Sequence, residues 1–118
     1  MSVRALSLRE KQSVFLQNVT HLINYIYSNQ YSCTFGEAFR TAEQAALHAK
    51  AGKGIKNSLH CKRLAIDLNF FDKDGKYIES HGLIKPFGTY WKSLHTSNRW
   101  GGDFIKLVDS VHFEMQDL

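Results

Sequence analysis

Apolar residues recur at three- and four-residue spacing between Leu8 and Ser28: Phe15, Leu16, Val19, Leu22, Ile23, Ile26 and Tyr27. That period lines one face of an α-helix. Ser7, with Glu10 three places on, supplies a capping box at its start. From Cys33 to Phe39 the pattern fits a short strand with Cys33, Phe35 and Phe39 turned inward. An alanine-rich helix is predicted from Ala42 to Lys50 with Thr41 as its N-cap, and Gly52 and Gly54 end it and open a loop.

The clearest alternation runs from Lys62 to Phe71. Leu64, Ile66, Leu68 and Phe70 fall on one face of a strand; Ala65, Asp67 and Asn69 fall on the other. Asp72 to Lys76 reads D-K-D-G-K, a turn, and Tyr77-Ile78 begins the return strand. Pro86 is placed to open a third helix reaching His95, with Phe87, Tyr90, Trp91 and Leu94 as its apolar stripe. Asn98 to Gly102 reads as a loop. Val111 to Met115 alternates again, with Val111, Phe113 and Met115 inward and His112 and Glu114 outward.

The 118 residues fit a single domain, 1–118, and a 43% hydrophobic content is enough for a packed core. Charged residues make up 22% without a block of like charge, which excludes global disorder. A net charge of +4 favours acidic partners, but the basic residues are spread out, and the densest group is Lys50, Lys53 and Lys56. Neither an interleaved aromatic-basic surface nor a reading helix is present, so nucleic acid is not the expected partner. Cys33 and Cys61 form neither a disulfide framework nor a metal knuckle and read as free thiols. No apolar run approaches the length of a membrane span, and the first residues lack the apolar core of a secretory signal. Synthesis in a cytoplasm, without stable membrane association, is the expectation.

The candidate chemistry lies on the polar faces of the alternating segments. S-L-H-C-K-R-L-A-I-D-L carries His60 and Asp67; D-S-V-H-F-E carries Asp109 and His112. Two imidazoles and one carboxylate suit zinc and leave a fourth position open, and a spare carboxylate beside the last ligand would serve as general base. His60 and Asp67 are seven apart, so on one straight strand they would face opposite ways. His60 must therefore precede the strand, in a turn that swings its ring back over Asp67. A turn or bulge near Ser110 would likewise let Asp109 and His112 aim at one point. His21 and His48 sit in predicted helices, His81 and His95 flank the Pro86 segment, and none has a comparable setting. Cys61 adjoins His60, and on a strand its thiol would point away from it into the interior.

S-x-H, A-x-D and a late D-x-x-H-F-E, in this order, resemble the M15 zinc peptidases of peptidoglycan: D-Ala-D-Ala carboxypeptidases and dipeptidases, and phage L-alanyl-D-glutamate endopeptidases. The likeness is greatest to the short single-domain phage endolysins. W-G-G-D-F at Trp100 to Phe104 resembles that subgroup, and A-F-R-T-A-E-Q at Ala38 to Gln44 resembles the family's S-G-Y-R-T segment. The chain departs from the pattern at Arg63, where a glycine is common, and at Glu37, Ala38 and Phe39, which replace S-G-Y. The resemblance implies an α+β fold of the hedgehog/DD-peptidase type, with helices packed on a small antiparallel sheet. It implies one zinc ion on His60, Asp67 and His112. Asp109 is implied as catalytic acid/base, Arg40 as the group that steadies the substrate carbonyl and the developing oxyanion, and Ser58 as a substrate or outer contact. The implied activity is cleavage of the L-Ala–D-Glu bond of the peptidoglycan stem peptide by a monomer made in a bacterial host and released to the wall. D-Ala-D-Ala cleavage and a non-catalytic zinc-binding module are the alternatives.

Overall fold

The computed structural model describes residues 5–52 and 58–117. The elements run α1 (Leu8–Ser28), β1 (Ser32–Phe35), α2 (Ala42–Lys50), β2 (Ala65–Phe71), β3 (Tyr77–Ile78), α3 (His81–Leu94), β4 (Asn98–Trp100) and β5 (His112–Met115), with 3₁₀ turns at Leu59–Lys62 and Gly101–Asp103. The α+β expectation holds: three helices accompany one antiparallel sheet in the order β1-β2-β5-β4, and β3 pairs with the far end of β2. Gly54, Lys53 and Lys56, which the sequence placed in a loop and in the densest basic group, lie outside the described residues.

The expected capping box forms at α1, and Thr41, expected as the N-cap of α2, heads a capping box as well. Ser7 and Glu10 exchange hydrogen bonds at the start of α1, and Thr41 and Gln44 do so at the start of α2. The buried face of α1 is narrower than its apolar pattern: Phe15, Val19, Leu22 and Ile26 are buried, whereas Leu16 and Tyr27 are exposed on its flanks. β1 ends at Phe35, short of the expected Phe39, and both phenylalanines are exposed, at 72% and 44%. Backbone pairing with β2 runs on through Gly36 N–H to Asp67 C=O and Asp67 N–H to Glu37 C=O, yet neither ring reaches the core. Arg63 covers Phe39 instead, its guanidinium carbon 4.1 Å from the ring centroid.

Helix α3 begins at His81, capped by the Ser80 side chain, so Pro86 lies inside it rather than at its start. A proline in a helix interior costs about 3 kcal/mol. Burial of Ile84, Phe87 and Trp91 outweighs that, since each fully buried side chain of this class contributes roughly 1.5–3 kcal/mol. The Asn98–Gly102 loop is in fact β4 followed by a 3₁₀ turn. Three residues are too few to show a period. They pair because Asn98, Arg99 and Trp100 lie opposite Met115, Glu114 and Phe113.

Register then sorts the two faces of the sheet, because directly opposed residues point the same way. Trp100, Phe113 and Ile66 form one row. With Leu68, Phe70 and Met115 they join Phe15, Leu22, Ile26, Ile84, Phe87 and Trp91 in a single core. Gly88 of α3 permits the closest approach, since a Cβ there would stand 2.1 Å from Trp100 Cδ2. The other face carries His112 opposite Asp67, and Arg99 and Ala65 flanking Glu114.

Candidate metal centre

Asp67 lies mid-strand on β2, where the pairing with His112 of β5 sets their side chains together: His112 Nδ1 is 2.9 Å from Asp67 Oδ1. His60 reaches the same oxygen from outside the sheet. Its 3₁₀ turn closes on Arg63, which takes the left-handed conformation (φ 56°), and the reversal brings His60 Nε2 to 3.4 Å from Asp67 Oδ1. The odd separation of the two residues is thus resolved by a turn before the strand. Arg63 adopts there a backbone conformation that glycine would take at less cost. The two imidazole rings lie 5.0 Å apart at 66°. One ligand atom from each of His60, Asp67 and His112 lies within 4.8 Å of the others. Ligand atoms at about 2.0–2.1 Å from a zinc ion stand at most about 4.2 Å apart, so the three lie close to the spacing that an ion would impose. Two imidazoles and one carboxylate within this span are a donor set that fits a divalent ion.

His112 and Glu114 correct one expectation. Both were read as outward-facing, yet His112 is 9% and Glu114 5% exposed. The polar face of β5 is covered: Phe104 lies against the His112 ring at 5.9 Å, and Arg99 reaches Glu114 through Nε at 2.8 Å. His112 Nε2 in turn is 2.7 Å from Glu114 Oε1. This carboxylate was missed at the sequence level, where it looked like the polar partner in an alternating strand. Its signals were its place at the end of the D-x-x-H-F-E motif and its position two residues after His112, on the same face.

The Asp109–His112 turn forms at the expected place, closed by His112 N–H to Asp109 C=O at 3.1 Å. The W-G-G segment holds it. Trp100 Nε1 donates to Ser110 C=O at 2.8 Å, and Asp109 N–H to Gly101 C=O at 3.0 Å. A Cβ on Gly101 would meet Asp109 O at 2.2 Å, so only glycine allows this approach.

The sequence profile of the M15 peptidases described as D-alanyl-D-alanine carboxypeptidase matches residues 51–115, more than half of the chain and all of the His60–Asp67–Asp109–His112 set. The chain belongs to the M15 peptidase family. No curated protein matches the sequence. Among solved structures, the L-Ala D-Glu endopeptidase ChiX of Serratia marcescens is similar in fold, with a TM-score of 0.74 at 17% identity over 92% of this chain and 83% of that one.

The remaining predicted residues of this M15 peptidase occupy distinct settings. Ser58 is buried, and its hydroxyl accepts from the His60 backbone N–H at 3.2 Å, capping the turn that presents the imidazole. Arg40 lies beside the ligands: its backbone N–H donates to His60 C=O at 3.3 Å, and its guanidinium pairs with Glu37. Cys61 is half-buried in the 3₁₀ turn, its thiol 3.8 Å from Thr41 C=O, because the segment is a turn and not the strand that would have buried it. His81 contacts Gly102 C=O and the Trp100 ring, and His95 accepts from Ser97 N–H.

Electrostatics couples the centre tightly. Burial raises the Asp67 carboxyl, but hydrogen bonds from His112 and His60 more than reverse this and hold it at about 2. Burial lowers His112, but its hydrogen bonds to Asp67 and Glu114 raise it to about 9. Both of its ring nitrogens face carboxylate oxygens, the arrangement of an imidazolium. Asp109 is raised, first by burial and then by the charge of Asp67. Linkage gives the sign for the metal-free protein. The His112 contribution is complete below its unfolded value of 6.5 and is lost as pH rises through about 9. The Asp67 contribution is complete above 3.8 and is lost as pH falls through about 2. Melting temperatures of chelator-treated protein should therefore decline between pH 6.5 and 9. His112→Gln should remove most of that decline; an unchanged slope would show that His112 is not the group responsible.

Proposed function

We propose that this chain is a zinc-dependent peptidoglycan peptidase that cleaves the L-Ala–D-Glu bond of the stem peptide, acting as a monomeric phage-type endolysin on the wall of the host that makes it. The observation that carries the reading is the convergence of His60 Nε2 and His112 Nδ1 on one oxygen of Asp67. In this reading His60, Asp67 and His112 hold the ion. Bound there, zinc supplies Lewis acidity toward a peptide carbonyl and makes water acidic enough to react near neutral pH.

The protein groups do the rest. Asp109 accepts the proton of the attacking water and delivers it to the leaving amine. Its raised proton affinity brings it nearer the working pH. Arg40 offers a fixed positive charge to the oxygen that becomes anionic. Glu114 holds the far nitrogen of His112, so the near nitrogen keeps its aim. Ser58 supports His60 through the backbone of its turn.

The choice of bond rests on the fold likeness to the Serratia endopeptidase and on the phage-endolysin character of the W-G-G-D-F segment. The matching family profile, described by D-alanyl-D-alanine carboxypeptidase, favours the second reading, release of terminal D-Ala. Among the described residues no helix is long and apolar enough to cross a membrane. Digestion of purified peptidoglycan with and without chelator, followed by mass spectrometry, tests both. New amino-terminal D-Glu ends that vanish on chelation and return with zinc are expected. Free D-Ala would transfer the assignment to carboxypeptidase, and intact wall would leave a metal-binding module without catalysis.

A further inference from the structure

We propose that Glu37 is a positioning residue that backs His60 and holds Arg40 beside the metal ligands, a role that rests on the metal reading above. Glu37 occupies the segment where this chain departs from the S-G-Y pattern, and it touches three parts of the site. Its backbone carbonyl accepts from Asp67 N–H at 2.8 Å, continuing the β1–β2 pairing past the end of the strand. Its carboxylate Oε1 forms the ion pair with Arg40. The same oxygen lies 3.6 Å from His60 Nδ1.

His60 gives that last approach its meaning. The ring is buried, with 3% of its side chain exposed, and Nε2 is turned toward Asp67. Nδ1 has no hydrogen-bond partner. A histidine that gives one nitrogen to a metal carries its proton on the other, and that N–H needs an acceptor when buried. Glu37 Oε1 is itself buried, engaged by the Arg40 ion pair and by no hydrogen bond. The gap to Nδ1 exceeds hydrogen-bond range by about half an ångström. A buried ring nitrogen without a hydrogen bond thus faces a carboxylate oxygen held only by an ion pair, on the side of His60 away from Asp67. Glu37 does for His60 what Glu114 does for His112, and it also fixes the position of Arg40.

The test compares wild type, Glu37→Ala and Glu37→Gln. Zinc affinity is measured on purified metal-free protein by competition with a chromophoric chelator, and kcat and KM on soluble peptidoglycan fragments. Glu37 is partly exposed, with 30% of its side chain accessible, so both variants should fold. Glu37→Ala should weaken zinc binding about 10-fold or more, the range for loss of a group that orients a metal-bound histidine, and should also lower kcat. Glu37→Gln keeps an oxygen for Nδ1–H but loses the charge that holds Arg40. Its zinc affinity should return toward wild type while its kcat stays low. A merely structural ion pair would not produce that split. Wild-type zinc affinity and kcat in Glu37→Ala would overturn the proposal. Absence of zinc binding by the wild type would instead overturn the metal reading, and this role with it.

Discussion

His112→Ala should abolish zinc binding and peptidase activity together. Two protein ligands would remain, His60 and Asp67, and zinc sites are built from three or four. The loss in affinity should exceed the roughly 10–100-fold that follows removal of an outer partner, and activity should fall to background. The variant also strips Asp67 of its nearer imidazole, at 2.9 Å, and Glu114 of one of its two partners. The metal-free form should therefore melt lower than wild type, although Arg99 still neutralises Glu114. Zinc content by mass spectrometry under native conditions, with circular dichroism to confirm the fold, checks the outcome. In wild type the imidazolium between two carboxylates must lose a proton to solvent in order to bind a metal, so uptake at neutral pH should release acid. A His112→Ala protein that retains stoichiometric zinc would remove His112 from the ligand set.

Asp109→Asn should lower kcat by about 10²–10⁴-fold, the usual contribution of a positioned general acid–base group, with zinc content and KM little changed. The substitution preserves size and an oxygen for the Val111 backbone N–H, which is one of the groups acting on the Asp109 carboxylate. The backbone bonds that hold the turn, Asp109 N–H to Gly101 and His112 N–H to Asp109, do not involve the side chain. A large effect on turnover with intact zinc would therefore report proton transfer rather than loss of the turn. Full activity in Asp109→Asn would reassign the base. Zinc loss would mean that Asp109 acts on the ligands and not on substrate.

These expectations trace back unevenly to the sequence. The residue types and order around His60, Asp67, Asp109 and His112 were legible because metal sites demand specific donors, and because alternation marks which residues share a face. Helix α1 and helix α2 were legible to their end residues, since capping boxes are local hydrogen-bond patterns that need no tertiary context. Helix α3 was misread because proline is a good helix opener in isolation, whereas burial of Ile84 and a cap from Ser80 extend the helix upstream. β4 was invisible because three residues define no period, and only its partner β5 makes it a strand.

The amino-acid order by itself determined the chemistry available: which imidazoles and carboxylates exist, and that His60 had to come from a turn. The tertiary structure decided which of them act together. Glu37 and Glu114 gained their places because β-pairing and the Arg63 turn set them beside the far nitrogens of His60 and His112, Glu37 at 3.6 Å and Glu114 at 2.7 Å. Those contacts join residues 23 positions apart or only two, and no periodicity distinguishes either from a solvent-facing glutamate. Proximity across strands depends on register and on what covers a face, and both are properties of the packed chain.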